Sequence, residues 1–179
     1  MPVVIAVVLA LGVLVLVNLL LTVGIIRKLR TYERDRAAAP DPSRPTTGLR
    51  AGTAVPAFAA TARDGSEVGV ADLAGRRTLV GFFSSDCEGC TTAAPGFAPA
   101  AREAGVAALA VVTAGHRDPE ELLAALGDDV TAVVEQGPGS LTEAFAVSAY
   151  PWYFLTGPDG VVVASAANSE GCLGEPVRA

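Results

Sequence analysis

The pattern of apolar and polar positions divides the chain into a long apolar run, a polar connection and a region of mixed elements. Residues 3–26 contain no charged side chain, and their only polar side chains are Asn18 and Thr22. At about 1.5 Å of rise per residue this run spans about 36 Å as a helix, which is enough to cross a bilayer. No basic residue precedes the run and several follow it directly. We therefore predict a retained transmembrane anchor over residues 1–29 rather than a cleaved signal peptide.

The connection after the anchor is rich in proline, glycine, serine and threonine, a composition typical of a poorly ordered linker. We predict a flexible tether over residues 30–52, a folded domain over residues 53–164 and an irregular tail over residues 165–179.

Within the domain, strands alternate with helices. Short apolar segments on either side of the Asp64-Gly65 turn predict a hairpin over residues 58–70, and residues 157–160 form a second strong turn signal. Apolar runs and amphipathic spacing predict the remaining elements. The strands are 77–83, 106–113, 130–134, 152–155 and 161–164, and the helices are 87–104, 118–126 and 141–145. This order predicts a mixed-sheet α/β layer fold.

Charge is distributed unevenly along the chain. Residues 27–50 carry seven basic and three acidic side chains, a net of +4, whereas residues 51–179 carry six basic and sixteen acidic side chains, a net of −10. The basic segment is placed to contact anionic headgroups of a lipid bilayer. The acidic region argues against nucleic acid as a partner because it would repel phosphates.

Cys87 and Cys90 form a Cys-x-x-Cys at the junction of a predicted buried strand and a predicted helix. A helix N-terminus offers unpaired N–H groups and a partial positive charge, which stabilise the thiolate that attacks disulfides. One alternative is that the two cysteines form half of a zinc site. Such a site needs about four ligands, and the rest of the chain offers only Cys172 and His116. The other alternative is a pair of inert core cysteines. We predict a redox pair without a metal or a cofactor.

The run from Leu79 to Cys90 resembles the strand-to-active-site segment of thioredoxins. It is more similar to the membrane-anchored TlpA-type disulfide reductases and the MauD-like maturation proteins of methylamine dehydrogenase, in the AhpC/TSA–Redoxin superfamily. Pro95 matches a proline of the family's active-site helix, and residues 147–155 resemble its cis-proline segment. The resemblance covers residues 55–164. It implies a thioredoxin-like mixed sheet flanked by helices, preceded by one N-terminal transmembrane helix.

The resemblance also implies roles for individual residues. Cys87 would be the attacking thiol, Cys90 the resolving thiol and Pro151 the cis-proline beside them. Tyr150, Pro151 and Trp152 would bind substrate, since a cis X-Pro bond would leave the Tyr150 backbone free to pair with an extended chain. From the residues alone, Pro151 is equally an ordinary turn proline and Trp152 equally a core residue.

The implied function is a membrane-tethered thiol–disulfide oxidoreductase, in particular a protein disulfide reductase with a protein client and a membrane electron donor. The family places its redox domain outside the cytoplasm. The basic residues after the anchor argue for the opposite side, although long domains translocate despite flanking charge. We expect a single-pass membrane protein with an extracytoplasmic domain.

Two features depart from the family near the cysteines. Gly81 stands where thioredoxins often carry a buried acid, so the proton acceptor for Cys90 must be another group or water. Glu135 is a candidate, although a solvated acid at a strand end is its expected role. Asp86 and Glu88 flank the attacking sulfur, and their negative charge disfavours a thiolate and favours a reductant.

The C-terminal region departs as well. The family usually ends in a helix packed on the sheet, but residues 165–179 contain glycine and proline and show little apolar periodicity. This pattern predicts that the last helix is missing or degraded. Cys172 is expected to be an exposed bystander rather than a resolving thiol, and His116 a surface or capping residue rather than a ligand.

Other function classes fit less well. A peroxiredoxin needs an upstream threonine and proline that Asp86 and the neighbouring serines do not supply. A copper-delivery protein on the same fold uses a wider cysteine spacing and a partner histidine, for which His116 is poorly supported. A membrane-tethered scaffold without disulfide catalysis stays open as an alternative.

Overall fold

The computed structural model describes residues 11–12 and 47–174 of the chain. All the predicted elements are present in the predicted order, with ends that differ by a few residues, and two short helices, Val70–Leu73 and Ser169–Leu173, were not predicted. The strands are β1 (Ala59–Thr61), β2 (Glu67–Gly69), β3 (Thr78–Ser84), β4 (Ala107–Ala114), β5 (Thr131–Gln136), β6 (Trp152–Thr156) and β7 (Val162–Ala166). The helices are α1 (Val70–Leu73), α2 (Glu88–Glu103), α3 (Glu120–Leu126), α4 (Ser140–Ala144) and α5 (Ser169–Leu173).

Five strands form one mixed sheet in the order β5-β4-β3-β6-β7, and β1 pairs with β2 in a separate hairpin. β3 is parallel to β4, and β4 is parallel to β5, whereas β6 is antiparallel to both β3 and β7. β3 is central and buried from Thr78 to Phe83. Its sequence is apolar at consecutive positions because both faces of the sheet are covered. The predicted mixed-sheet α/β fold is confirmed.

The two faces of the sheet carry separate cores. Leu79 and Phe83 point to one face, which we call the α2 face, where they pack with Cys90 and Phe97. The intervening residues Val80 and Phe82 point to the opposite face, where they pack with the hairpin and α4; this is the α4 face. Alternation along β3 therefore decides which side chains can approach the cysteine pair.

Helix α2 covers one face through residues spaced by four, three and four positions. Cys90, Ala94, Phe97 and Ala101 are its buried residues, and this spacing places them on one side of a helix with 3.6 residues per turn. The helix continues through Pro95, which cannot donate a backbone hydrogen bond. Packing against the sheet therefore holds this segment in helical form.

Residues 48–52, the last part of the predicted tether, pack on the domain. The Leu49 N–H donates to the Phe145 carbonyl at 3.0 Å, and the Gly52 N–H donates to the Val162 carbonyl at 2.7 Å. Gly48 is buried with a φ of +84°, and a Cβ there would collide with the ring of Phe154. Before residue 47, the predicted anchor and tether lie outside the described residues except for 11–12. The described residues contain no helix of the length and apolarity needed to span a membrane.

The C-terminal segment differs from the prediction. β7 extends to Ala166, and α5 follows, beginning at Asn168, whose side chain accepts the Gly171 N–H at 2.6 Å as a helix N-cap. The predictions of an irregular tail and a missing helix are therefore wrong for residues 165–174. The helix has only five residues, which is too short for an apolar period to be visible in the sequence.

The expected exposure of Cys172 is also wrong. Its side chain is fully buried on the α2 face, in the same core as Cys90. Its thiol donates to the Ala164 carbonyl at 3.4 Å. The thiol therefore helps to fix α5 on the sheet rather than lying at the surface.

Candidate active site

The two cysteines of the motif lie at the junction of β3 and α2. Cys87 is the N-cap residue of α2, with an extended backbone (φ −100°, ψ 111°), and Cys90 lies in the first turn. The Cys90 N–H donates to the Cys87 carbonyl at 3.1 Å. Cys87 is half-buried and Cys90 is fully buried. A reagent or client can therefore reach only the first sulfur of the pair, as the predicted roles of attacking and resolving thiol require.

Both sulfurs are thiols in this structure, and each has a backbone partner. The Cys87 thiol donates to the Tyr150 carbonyl at 3.5 Å, and the Ser84 N–H donates to the Cys90 sulfur at 3.4 Å. Burial, together with a hydrogen bond with Cys87, raises the pKa of Cys90 to about 12, and the Ser84 N–H partly opposes these two effects. Cys90 must therefore lose a proton before or while it attacks a mixed disulfide.

Gly81, which stands where thioredoxins often carry a buried acid, has no room for a side chain. A Cβ at Gly81 would lie 2.7 Å from Phe97 and 2.8 Å from Phe83. The two rings are fully buried and meet edge to face, with their centroids 5.5 Å apart. In this protein an aromatic cluster therefore occupies the space beside the resolving cysteine.

Glu135 does not supply the missing base, and it is not a solvated acid either. It is buried on the α4 face, so the sheet separates it from Cys90. Its carboxylate accepts the Leu141 N–H at 2.7 Å and the Thr142 hydroxyl at 2.6 Å, and it also accepts the N–H groups of Gly139 and Thr142. Glu135 caps the N-terminus of α4, and its lone pairs are occupied there.

Tyr153 is the polar residue of β6 that faces the cysteines. It pairs directly across from Gly81, is 2% exposed, and packs edge-on against Phe83 with ring centroids 5.7 Å apart. Burial, with a smaller contribution from the charges of Cys90 and Cys87, raises the pKa of Tyr153 to about 12. Its phenol therefore stays protonated at neutral pH. Because side chains alternate along β6, Tyr153 lies in the core on the opposite face from Trp152.

The segment expected to bind substrate lies beside the attacking sulfur. The Tyr150–Pro151 peptide bond is cis, as predicted. A Cβ at Gly89 would lie 3.9 Å from both the Cys87 sulfur and the ring of Pro151, so the two residues border the same space. The Tyr150 hydroxyl lies 3.0 Å from Thr113 Oγ1.

Trp152 stands apart from the other predicted site residues. It is half-buried and packs towards the α4 face rather than towards Cys90. Its indole N–H has no hydrogen-bond partner within the described part of the chain. The structure therefore brings Cys87, Cys90, Tyr150 and Pro151 together at one site. The Trp152 side chain packs towards the α4 face instead.

The chemistry of the site is that of thiols. Residues 11–12 and 47–174 contain no group of three or more His, Cys, Asp or Glu side chains placed to hold a metal ion. The side chain of His116 is fully exposed, and its Nδ1 lies 3.0 Å from a carboxylate oxygen of Asp86. This is the surface position expected from sequence.

A comparison with protein families matches residues 50–171 to Redoxin. The chain belongs to the Redoxin family. The matched region is wider than the predicted domain, since it begins before residue 53 and includes Gly52 as well as the first three residues of α5. A search of curated proteins found no match.

Solved structures similar to this Redoxin protein include three proteins of the disulfide-exchange class. One is the thioredoxin domain of a thiol-disulfide oxidoreductase from Bacteroides vulgatus, with a TM-score of 0.57, 22% identity and coverage of 70% of this chain and 94% of that chain. A second is a putative thiol:disulfide interchange protein DsbE from Chlorobium tepidum, with a TM-score of 0.55, 23% identity and coverage of 65% of this chain and 84% of that chain. A third is a thio-disulfide isomerase from Thermus thermophilus, with a TM-score of 0.55, 23% identity and coverage of 67% of this chain and 87% of that chain. At these identities the likeness establishes the thioredoxin-like fold.

Proposed function

We propose that this Redoxin protein is a thiol–disulfide oxidoreductase that reduces disulfides in a protein client. The observation that carries the proposal is the unequal exposure of the pair. Cys87 is half-buried at a helix N-terminus beside the cis-proline segment, and Cys90 is fully enclosed one helical turn further on. Membership of the Redoxin family and the likeness to disulfide-exchange proteins support oxidoreductase activity in general.

The proposed reaction has two steps. The Cys87 thiolate attacks one sulfur of the client disulfide, forming a mixed disulfide and releasing the other client sulfur as a thiolate, which takes up a proton. Cys90 then loses its proton, attacks the Cys87 sulfur and releases the second client thiolate. The client gains two electrons and two protons, and the protein ends with a Cys87–Cys90 disulfide. A separate donor must reduce that disulfide, and we propose that this donor is a membrane protein.

The charge around Cys87 favours the reducing direction. Asp86 and Glu88 place negative charge on both sides of Cys87, and negative charge disfavours the thiolate form. Strong oxidants such as DsbA owe their potential to a stabilised reduced form.

The test uses the reduced full-length protein, purified in detergent, with insulin as a model disulfide client. Wild type should reduce insulin and lose two thiols per chain. Cys90→Ser should accumulate a mixed disulfide with insulin, because the second attack is removed, and Cys87→Ser should be inactive. Cys172→Ser is the matched control, since it removes a buried thiol outside the pair. Insulin reduction by Cys87→Ser would overturn the proposal.

We also propose that residues 1–29 anchor the protein in a membrane and that the redox domain lies outside the cytoplasm. The uncharged run of residues 3–26 supports the anchor. The expected result is that the protein stays in the membrane fraction after carbonate extraction. In intact cells an impermeant maleimide should label Cys87. Extraction into the soluble fraction would overturn the anchor, and labelling only after lysis would place the domain in the cytoplasm.

A further inference from the structure

The carboxylate of Asp86, the residue before the attacking cysteine, is bound by a neighbouring loop. The His116 N–H donates to both carboxylate oxygens, at 2.9 and 3.0 Å, and the Arg117 N–H donates to Oδ1 at 2.9 Å. The His116 ring adds a contact of 3.0 Å to Oδ2. At Gly115 a Cβ would collide with this carboxylate. The loop of residues 115–117 is therefore shaped around the Asp86 side chain.

A second set of contacts extends this connection to the cis-proline segment. The Ser85 N–H donates to the Thr113 carbonyl at 3.1 Å, and the Gly115 N–H donates to the Ser85 hydroxyl at 2.8 Å. Thr113 in turn contacts the Tyr150 hydroxyl at 3.0 Å, and the Tyr150 carbonyl accepts from the Cys87 thiol. One continuous set of hydrogen bonds thus connects the segment before Cys87, residues 113–117 and Tyr150.

We propose that Asp86 is a positioning residue for the redox pair, whose carboxylate ties the segment before Cys87 to residues 115–117 and fixes a negative charge beside the attacking sulfur. The inference rests on the proposed disulfide-exchange function. It adds a named residue that sets how readily Cys87 becomes a nucleophile. It also gives His116 a role, since a protonated imidazole against Asp86 would partly neutralise that charge.

The charge on Asp86 persists across the pH range of thiol exchange. The backbone N–H groups of His116 and Arg117 and the His116 ring lower the pKa of Asp86 to about 2. Glu88 supplies a second negative charge on the other side of Cys87, but its exposed side chain has no comparable set of backbone donors in the part of the chain described. Asp86 is thus held at a fixed position, whereas a side chain without such donors samples many.

The test measures the rate of Cys87 alkylation by iodoacetamide between pH 5 and 10 in the reduced full-length protein, with the modified site confirmed by mass spectrometry. In a water-like medium a unit charge within several ångströms of a thiol changes its ionisation equilibrium by a factor of about two to five. Asp86→Asn should therefore raise the alkylation rate at pH 7 about threefold and lower the midpoint of the profile by about half a pH unit. Asp86→Ala should show the same shift and, because the tether is lost, a lower rate of insulin reduction.

Two further variants separate this role from a general structural one. His116→Ala keeps the charge and the backbone donors but removes the ring that contacts the Asp86 carboxylate, so it should slow alkylation, the opposite of Asp86→Asn. Asp64→Asn is the matched control, because Asp64 is also an exposed carboxylate that accepts a backbone N–H, from Ser66 at 2.9 Å. It should leave the profile unchanged.

The outcomes are distinguishable from failure of the proposed function. An unchanged midpoint in Asp86→Asn and Asp86→Ala, in protein that still reduces insulin, would overturn the inference about Asp86. An equal shift in Asp64→Asn would do the same. Absence of insulin reduction in wild type would instead overturn the proposed function itself.

Discussion

Replacing Gly81 by alanine tests why this Redoxin protein has no buried acid beside its resolving cysteine. An added Cβ would lie 2.7 Å from Phe97 and 2.8 Å from Phe83, closer than real Cβ atoms approach their neighbours. Both rings are fully buried, and Gly81 lies in the central strand with partners on both sides. The rings must move, and close packing leaves them little space.

The expected cost follows from two opposing effects. Overpacking a core typically costs about 1–3 kcal/mol, whereas replacing glycine by alanine in a strand interior returns about 0.5–1 kcal/mol. We therefore expect Gly81→Ala to lower the free energy of unfolding by about 1 kcal/mol, which corresponds to a decrease of about 3–5 °C in Tm for a domain of this size. Gly81→Asp should lose more than about 3 kcal/mol, since it also buries a carboxylate without a partner.

The assay is urea unfolding of the reduced full-length protein, followed by the fluorescence of its single tryptophan, Trp152. Gly96→Ala is the control, because Gly96 lies in α2 with no atom within 4 Å of an added Cβ. It should stabilise the protein by about 0.5–1 kcal/mol. Phe97→Leu makes room beside residue 81, so the cost of Gly81→Ala should be smaller in that background. Equal stability of Gly81→Ala and wild type, or an unchanged cost in the Phe97→Leu background, would refute the steric explanation.

Two further predictions concern other buried groups. Glu135→Ala should lower the free energy of unfolding by about 3 kcal/mol, because several donors at the start of α4 lose their acceptor. The exposed Glu143→Ala on the same helix should change it by less than about 0.5 kcal/mol, and similar urea midpoints for both variants would contradict the capping role. The reduced protein should lose stability as pH rises from about 9 towards 12, because the folded state retains protons on Cys90 and Tyr153 that the unfolded chain releases. Each of these two groups should lower the free energy of unfolding by up to about 1.4 kcal/mol per pH unit. Urea midpoints at pH 8 to 11 should fall less steeply for Cys90→Ser, and equal slopes would show that Cys90 does not retain its proton.

The parts of the fold that are visible in the sequence are those with a local cause. β3 is a run of apolar residues between polar ones, so its position follows from the pattern alone. The hairpin of β1 and β2 follows from the Asp64-Gly65 turn, and Gly65 adopts the positive φ of +86° that this turn requires. The place of Cys87 and Cys90 at a strand-to-helix junction follows from the same local pattern. The cis bond before Pro151 was expected from the family resemblance and not from its own residues.

The parts that could not be predicted depend on which elements meet in space. Glu135 has the sequence setting of a solvated acid, but α4 folds back over it and supplies four donors. Asp86 looks like a bare charge beside Cys87, but its donors come from a loop about thirty residues further along the chain. Cys172 lies in a helix of five residues, which is shorter than any window in which an apolar period can be detected.

The most direct test of the central claim is the reduction potential of the Cys87–Cys90 couple in the full-length protein. The measurement is a glutathione or dithiothreitol redox titration with thiol counting, on wild type and Cys90→Ser. The account predicts a reversible two-electron couple near or below about −250 mV that is absent in Cys90→Ser. A potential near about −120 mV would contradict the reducing direction. The absence of any reversible couple in the folded protein would contradict the redox pair itself.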